Sequence, residues 1–345
     1  MRSSPLTENI KAGSTGNVRQ RLGPESRAAI NILAVPQSWR NTGLYLSVYL
    51  AIAAAMLLDV WVRQPLITIG LIIFIAGRQH SLYILNHDAS HYGLYRSRMG
   101  NKFVATFLSN LIMLHHPEAW SFVQWRRVHM LHHSHLFTNK DPNYMGREIQ
   151  GDTRRPLSAG HLTFRCLMAG ILSFWKFFMS RQDYVPPHGG NAEKNKFNHL
   201  RTLLVSFPDD PEMNTERWLK IIFFSVIISV VVFLDLWRQF ILLWIVPMYT
   251  IYPMILTFFD LTEHRWTIPT QTLTVNCRSV RLGWWQRLIV SFLHRGLHLE
   301  HHIFPNVIAF DLPKLSAILE RDGVIKPPIA FSGLLDDIKN VRVEA

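Results

Sequence analysis

Apolar residues gather into four runs of span length, Gly43 to Val62, Pro65 to about Leu85, Leu219 to Leu236, and Phe240 to Phe259. A helix rises 1.5 Å per residue, so about twenty such residues cross a hydrocarbon core of about 30 Å. Short polar turns at Arg63-Gln64-Pro65 and Trp237-Arg238-Gln239 join the runs into two hairpins, which puts both termini and the long central segment on one side. Asp59, Arg63, Asp235 and Arg238 lie near the opposite turns, whereas nearly all other charge falls on the shared side, and its excess of Lys and Arg marks that side as cytoplasmic. Two shorter apolar runs, Phe103 to Leu114 and Leu167 to Trp175, read as interfacial helices. The predicted fold is an all-α integral membrane protein, with four transmembrane helices in two hairpins beneath a cytoplasmic helical cap. Residues 1–42 are polar and read as a flexible cytoplasmic arm before a single domain at 43–345, whose cap comprises 86–218 and 260–345.

Arg78 sits inside the second run, where a cation is costly unless it reaches the interface or a partner. That places it near the cytoplasmic boundary, with the helix continuing beyond the bilayer. The formal charge of +12 suits a surface facing anionic headgroups or an acidic partner, but its basic residues are scattered and form no nucleic-acid patch. Cys166 and Cys277 imply no disulfide framework. Residues 181–218, with Pro186-Pro187 and Gly189-Gly190, form the most loop-like stretch.

Three histidine boxes fall on the predicted cytoplasmic side: His87-Asp-Ala-Ser-His91, His129-Met-Leu-His132-His133 and His298-Leu-Glu-His301-His302. Residues three and four apart share a helix face, so each box presents several imidazoles in one direction. One first-row ion takes about four to six ligands, so eight imidazoles predict a dinuclear centre with positions left open. His264, where the fourth run leaves the bilayer, is a ninth candidate, and Asp260 one turn earlier is a further one. Asp88, Asp141, Glu263 and Glu300 are interleaved with these histidines and are candidates to fix their tautomers through the second ring nitrogen. The remaining histidines, at 80, 115, 116, 135, 161, 188, 199 and 294, are left outside the ligand set, with His135 and His294 as candidate outer donors.

These boxes, with Trp125-Arg-Arg-Val-His129, Thr138-Asn139, Asp141-Pro142, the run from His298 to Pro305 and Leu312-Pro-Lys-Leu315, resemble the membrane-bound fatty acid desaturase and hydroxylase superfamily. The three-residue spacing in the first box and the HLEHH form of the third lie nearer its acyl-lipid, sphingolipid and small bacterial branches. The resemblance implies a non-haem di-iron centre, molecular oxygen as co-substrate, and attack on an unactivated C–H bond of a fatty acyl or related chain. Zinc is able to replace iron in a purified sample, because imidazole suits both. In the acyl-CoA branch an Asn that helps hold a metal-bound water stands where this chain has Asp260.

Desaturation is the leading expectation and hydroxylation the alternative. Trp120, Phe122, Trp284 and Trp285 are candidates to line an apolar tunnel or to anchor the interface. The chain carries no haem domain, dinucleotide fingerprint or cysteine cluster, so electrons are expected from a separate ferredoxin or cytochrome b5 type donor with its reductase. Two rival readings are weaker. A metal transporter would place its ligands at the midplane, and a structural zinc site would close with fewer histidines.

Overall fold

The computed structural model describes residues 15–109, 121–154, 156–178, 211–268, 270 and 272–339, and is mostly helical. Among the described residues, three helices are long and apolar enough to cross a membrane: α3 (Ser38–Val62), α4 (Pro65–Ser90) and a composite α10 (Trp237–Thr262). The run expected as the third span lies in α9 (Pro211–Phe233), whose apolar part, Trp218–Phe233, is shorter. Around these stand α1 (Thr15–Gln20), α2 (Pro24–Leu33), α5 (Arg98–Val104), α6 (Phe122–Ser134), α7 (Pro142–Ile149), α8 (Ala159–Phe178), α11 (Trp284–Ile289), α12 (His298–Ile303), α13 (Leu312–Arg321) and α14 (Leu334–Lys339).

Local chemistry sets the turns. Arg63 takes a left-handed conformation, φ 50°, and returns its N–H to the Asp59 carbonyl at 3.0 Å, while Pro65 prevents helical continuation and starts α4. Asp235, φ 52°, turns the chain between α9 and α10. Buried Asp59 receives the Thr68 hydroxyl at 2.5 Å and pairs with Arg238, which fastens the first hairpin to α10 at the turn end.

The path of α10 is irregular because Pro247 and Pro253 cannot donate to the helical ladder. A π-turn, Ile241–Ile245, widens it, and Thr250 breaks its dihedrals. The freed carbonyls find other donors: Gln79 Nε2 reaches the Trp244 oxygen at 2.9 Å, and the Ser173 hydroxyl reaches that of Tyr249 at 2.5 Å. Helix α8 begins well before the apolar run expected at Leu167 and packs along α10. Gly170 permits this approach, since a Cβ there would meet the Thr250 oxygen at 2.9 Å. The other expected interfacial helix appears as α5 followed by a π-turn, Ala105–Ser109, and residues 110–114 lie outside the described set.

The first half of α4 is largely exposed and its second half buried, so one helix runs from an exposed apolar stretch into the buried core. Arg78, where the two halves meet, is partnered through Nη2, while its buried Nε has no hydrogen-bond partner among the described residues. Its Nη2 donates to the carbonyls of Arg287 and Leu288 at 3.1 and 2.9 Å, and its guanidinium lies over Phe74. Gly77 makes room for that contact, because a Cβ would stand 1.9 Å from the Ile289 oxygen.

Within residues 1–42 the described part, from Thr15 on, carries α1, α2 and the start of α3. Val18, Leu22 and Ile30 bury apolar faces of α1 and α2 in the main core, and α3 already begins at Ser38. Arg19 donates to the Ile303 carbonyl at 2.9 Å, and Arg40 pairs with Asp311 at 2.6 Å. Isolated apolar residues among polar ones gave this segment no run to notice, yet at helical spacing they form a docking stripe.

Candidate metal centre

Each histidine box rides on a helix that another element holds at its end. Ser121 caps α6 by accepting from Gln124 N at 3.3 Å, and the buried Glu216 carboxylate on α9 accepts from the Ser121 hydroxyl and Phe122 N, both at 2.7 Å. Arg126, on α6, donates to the Ser90 carbonyl at 2.7 Å and closes the C-terminus of α4, so the first two boxes are tied together. Arg19 does the same for α12 at Ile303. His264 follows α10 directly and forms an antiparallel bridge with Cys277.

The nine predicted imidazoles converge as two groups: His87, His91, His129, His133 and His301 in one, and His132, His264, His298 and His302 in the other, with donor atoms within 4.8 Å of one another in each. The partition explains the HxxHH spacing. In both such boxes the first and fifth residues, one helical turn apart, join one group, and the fourth residue points to the other. Thus α6 gives His129 and His133 to the first group and His132 to the second, while α12 gives His298 and His302 to the second and His301 to the first. The His133 and His302 rings stack at 4.3 Å across the boundary.

Within the first group, His129 Nε2 lies 2.9 Å from His91 Nε2 and 3.1 Å from His133 Nε2, and His301 Nε2 is 3.1 Å from His133 Nε2. Within the second, His298 Nε2 lies 2.9 Å from His264 Nε2 and 3.0 Å from His302 Nε2. Burial first, then neighbouring imidazoles, pushes His129, His133, His298, His301 and His302 below the ordinary imidazole range. For His264 the causes are burial, His132 and two arginines. All six are therefore held neutral, the form that binds metal. An all-imidazole donor set fits transition-metal ions.

The interleaved carboxylates behave differently from one another. Asp141 accepts from His132 Nδ1 at 2.9 Å and also caps α7 through Asn143 N. Asp88 lies 3.5 Å from His87 Nδ1 and accepts from Ala309 N at 2.9 Å. Glu263 stands 3.7 Å from His298 Nδ1 and is clamped by Arg295 at 2.5 Å. Glu300 touches no imidazole of the groups: it receives the Ser279 and Ser316 hydroxyls at 2.7 Å, and burial raises its pKa.

Asp260 lies outside both groups, with its oxygens 3.1 Å from Arg295 and 3.4 Å from Arg147. Arg295 was not anticipated, although it sits three residues before the third box. His264 Nδ1 faces a thiol, Cys277 Sγ at 3.5 Å, where an acid was expected.

The other described histidines, at 80, 135, 161 and 294, lie outside both groups. His80 contacts the Val290 carbonyl and Arg295, His135 contacts Ser134, and His294 contacts Arg287, with burial pulling the His294 imidazole down to about 4. His161 reaches Asp152, while residues 115, 116, 188 and 199 lie outside the described set, as does Trp120. Phe122 is buried, but Trp284 and Trp285 are 74% and 51% exposed, which suits interface anchors and not tunnel walls.

Residues 59–325, more than half of the chain, match the sequence model of the fatty acid desaturase family. The chain belongs to the fatty acid desaturase family. Both histidine groups fall inside the matched region. No curated protein matches the chain. Family membership, the candidate spans and the histidine groups together give a desaturase- or hydroxylase-type membrane protein built to bind metal.

Proposed function

We propose that this desaturase-family protein holds two iron ions, one in each imidazole group, and uses molecular oxygen to introduce a C=C bond into a fatty acyl or related lipid chain. The observation that carries the reading is the spacing of the Nε2 atoms. An ion about 2.1 Å from ligands at right angles separates neighbouring nitrogens by about 3.0 Å, whereas tetrahedral ligands stand about 3.4 Å apart. The distances of 2.9 to 3.1 Å match the right-angled arrangement and argue against closed structural zinc sites. Ions held by these histidines would supply oxygen activation and hydrogen abstraction.

The protein's own residues do the rest. Asp141 holds the proton on His132 Nδ1, which leaves Nε2 as the donor and makes the ring more basic. Arg295 holds Glu263 beside His298, and Trp125 stacks on His129 at 5.0 Å, fixing its plane. The second group is fully buried and the first partly so, which limits the access of bulk water that would otherwise compete for a reactive centre.

The proposed membrane arrangement has four spans, with the short apolar part of α9 completing the second hairpin. Its metal end and both termini are cytoplasmic, and a separate ferredoxin or cytochrome b5 type donor supplies electrons. Hydroxylation of the same chain remains the second reading, favoured by the same metal geometry. Mass spectrometry of lipids and small metabolites from aerobic cells expressing the chain with a donor system, beside His301→Ala, tests the proposal. A two-hydrogen loss confined to the intact protein supports desaturation, an added oxygen supports hydroxylation, and a product that persists in His301→Ala contradicts both.

A further inference from the structure

Cys277 lies in neither histidine group, yet its Sγ stands 3.5 Å from Nδ1 of His264, while Nε2 of the same ring faces His298 Nε2 at 2.9 Å inside the second group. The two nitrogens of one imidazole are thus divided between a buried thiol and the place for an ion.

The backbone holds this contact in register. Arg265 N donates to the Asn276 carbonyl at 2.6 Å, and Arg278 N donates to that of Glu263 at 2.8 Å, so Cys277 is set opposite His264. Arg278 Nη1 adds bonds to the carbonyls of Thr262 and His264 at 3.0 and 2.8 Å, and its Nε pairs with Asp337 at 2.7 Å.

The direction of each side-chain hydrogen bond follows from Asn276, which is fully buried. Its Nδ2 donates to the Thr270 carbonyl, which turns Oδ1 toward Cys277 Sγ at 3.0 Å. An amide oxygen only accepts, so the thiol hydrogen goes to Oδ1 and the sulfur presents its lone pairs to His264. Nδ1 then carries the proton of the ring, and Nε2 keeps the lone pair that binds metal.

We infer that Cys277 is a positioning residue: through the chain Thr270, Asn276, Cys277 it selects the Nδ1-protonated tautomer of His264 and aims Nε2 at the ion of the second group. The inference rests on that group holding an ion, as proposed above. A thiol is a weaker acceptor than a carboxylate, so His264 is a less basic ligand than His132, whose Nδ1 faces Asp141 at 2.9 Å. The second group therefore joins one strongly backed imidazole to one weakly backed one, which leaves its ion more electron-poor than two carboxylate-backed rings would.

The test is the zinc affinity of the full-length protein by chelator competition, in Cys277→Ser, Cys277→Ala and Cys277→Val, with the cobalt(II) absorption spectrum as a second readout. His264→Ala marks which ion belongs to the second group, and retention of the other ion identifies the variants that fold. Serine keeps a group that accepts from Nδ1 and donates to Asn276, alanine removes it, and valine fills the space of the thiol without it. Alanine and valine are expected to weaken the second ion by about 10 to 100-fold and to shift its cobalt spectrum, whereas serine restores most of the affinity. That pattern separates hydrogen bonding from packing, because valine would be the better replacement if volume alone mattered. Serine that binds as weakly as alanine, or alanine and valine that bind as tightly as the intact protein, overturns the inference and leaves the two-ion reading standing. Metal binding that His264→Ala leaves unchanged overturns both.

Discussion

The two ends of the long helices solve opposite problems. At the turn end, Trp61, Leu66 and Phe233 are 87%, 83% and 86% exposed, and one ion pair, Asp59 with Arg238, joins the hairpins. At the histidine end the same helices are wrapped by the cap, and buried imidazoles, carboxylates and arginines crowd together. An apolar surround replaces water at the first end, so few polar groups are needed there. At the second, every buried donor and acceptor needs a protein partner, and the imidazoles face one another across distances suited to ions. Stability and chemistry are thereby separated along the helix axes, and the comparison is open to experiment from either end.

The largest effect is expected from acidification, which acts only at the histidine end. His129, His133, His264, His298, His301 and His302 have folded pKa values below the unfolded value of about 6.5, so the unfolded chain binds more protons as pH falls. Stability and bound metal should be fully present above about pH 6.5 and decline as pH drops toward the lowered folded values. Metal retained after dialysis at neutral and at acidic pH measures this, and undiminished retention in acid would contradict the burial of neutral imidazoles.

Next in size is Asp141→Asn, which removes the carboxylate from His132 and should weaken metal affinity by about 10 to 100-fold, emptying the second group before the first. Chelator titration followed by elemental analysis gives the order of loss. Asp59→Ala should do the converse: it leaves Thr68 and the partly exposed Arg238 without their partner and costs about 1 to 3 kcal/mol, with metal content unchanged. A thermal melt beside a metal assay separates the two outcomes, and metal loss in Asp59→Ala would show that the ends are coupled. The smallest effect belongs to Trp284→Ala on exposed α11, expected to leave metal and melting temperature within error while easing extraction from the membrane.

Much of the site was legible because its information is local. Spacings of three and four within a box fix a helical face whatever the rest of the chain does; the eight histidines found this way, and His264 found by its place at the end of the fourth apolar run, all fall in the two groups. Their division into five and four was not legible, because it depends on how α4, α6 and α12 are set relative to one another. Asp260 and Glu300 show the same limit. Sequence position made Asp260 a candidate ligand and Glu300 a candidate imidazole partner, whereas Arg295 and Arg147 contact the first and two serines the second.

In the fold, hydropathy located the helices, whereas the irregular course of α10 was foreshadowed only by Pro247 and Pro253. The docking of α1 and α2 rests on a few residues, Val18, Leu22 and Ile30, too sparse to register as an apolar run.

The central claim is that each imidazole group holds its own ion. The most direct test is elemental analysis of the purified protein beside two double variants, His87→Ala with His91→Ala and His264→Ala with His298→Ala, each checked for retained helicity. The account predicts two ions per intact chain and one in each folded double variant. A single ion in the intact protein, or two ions retained when either group is stripped, would contradict it.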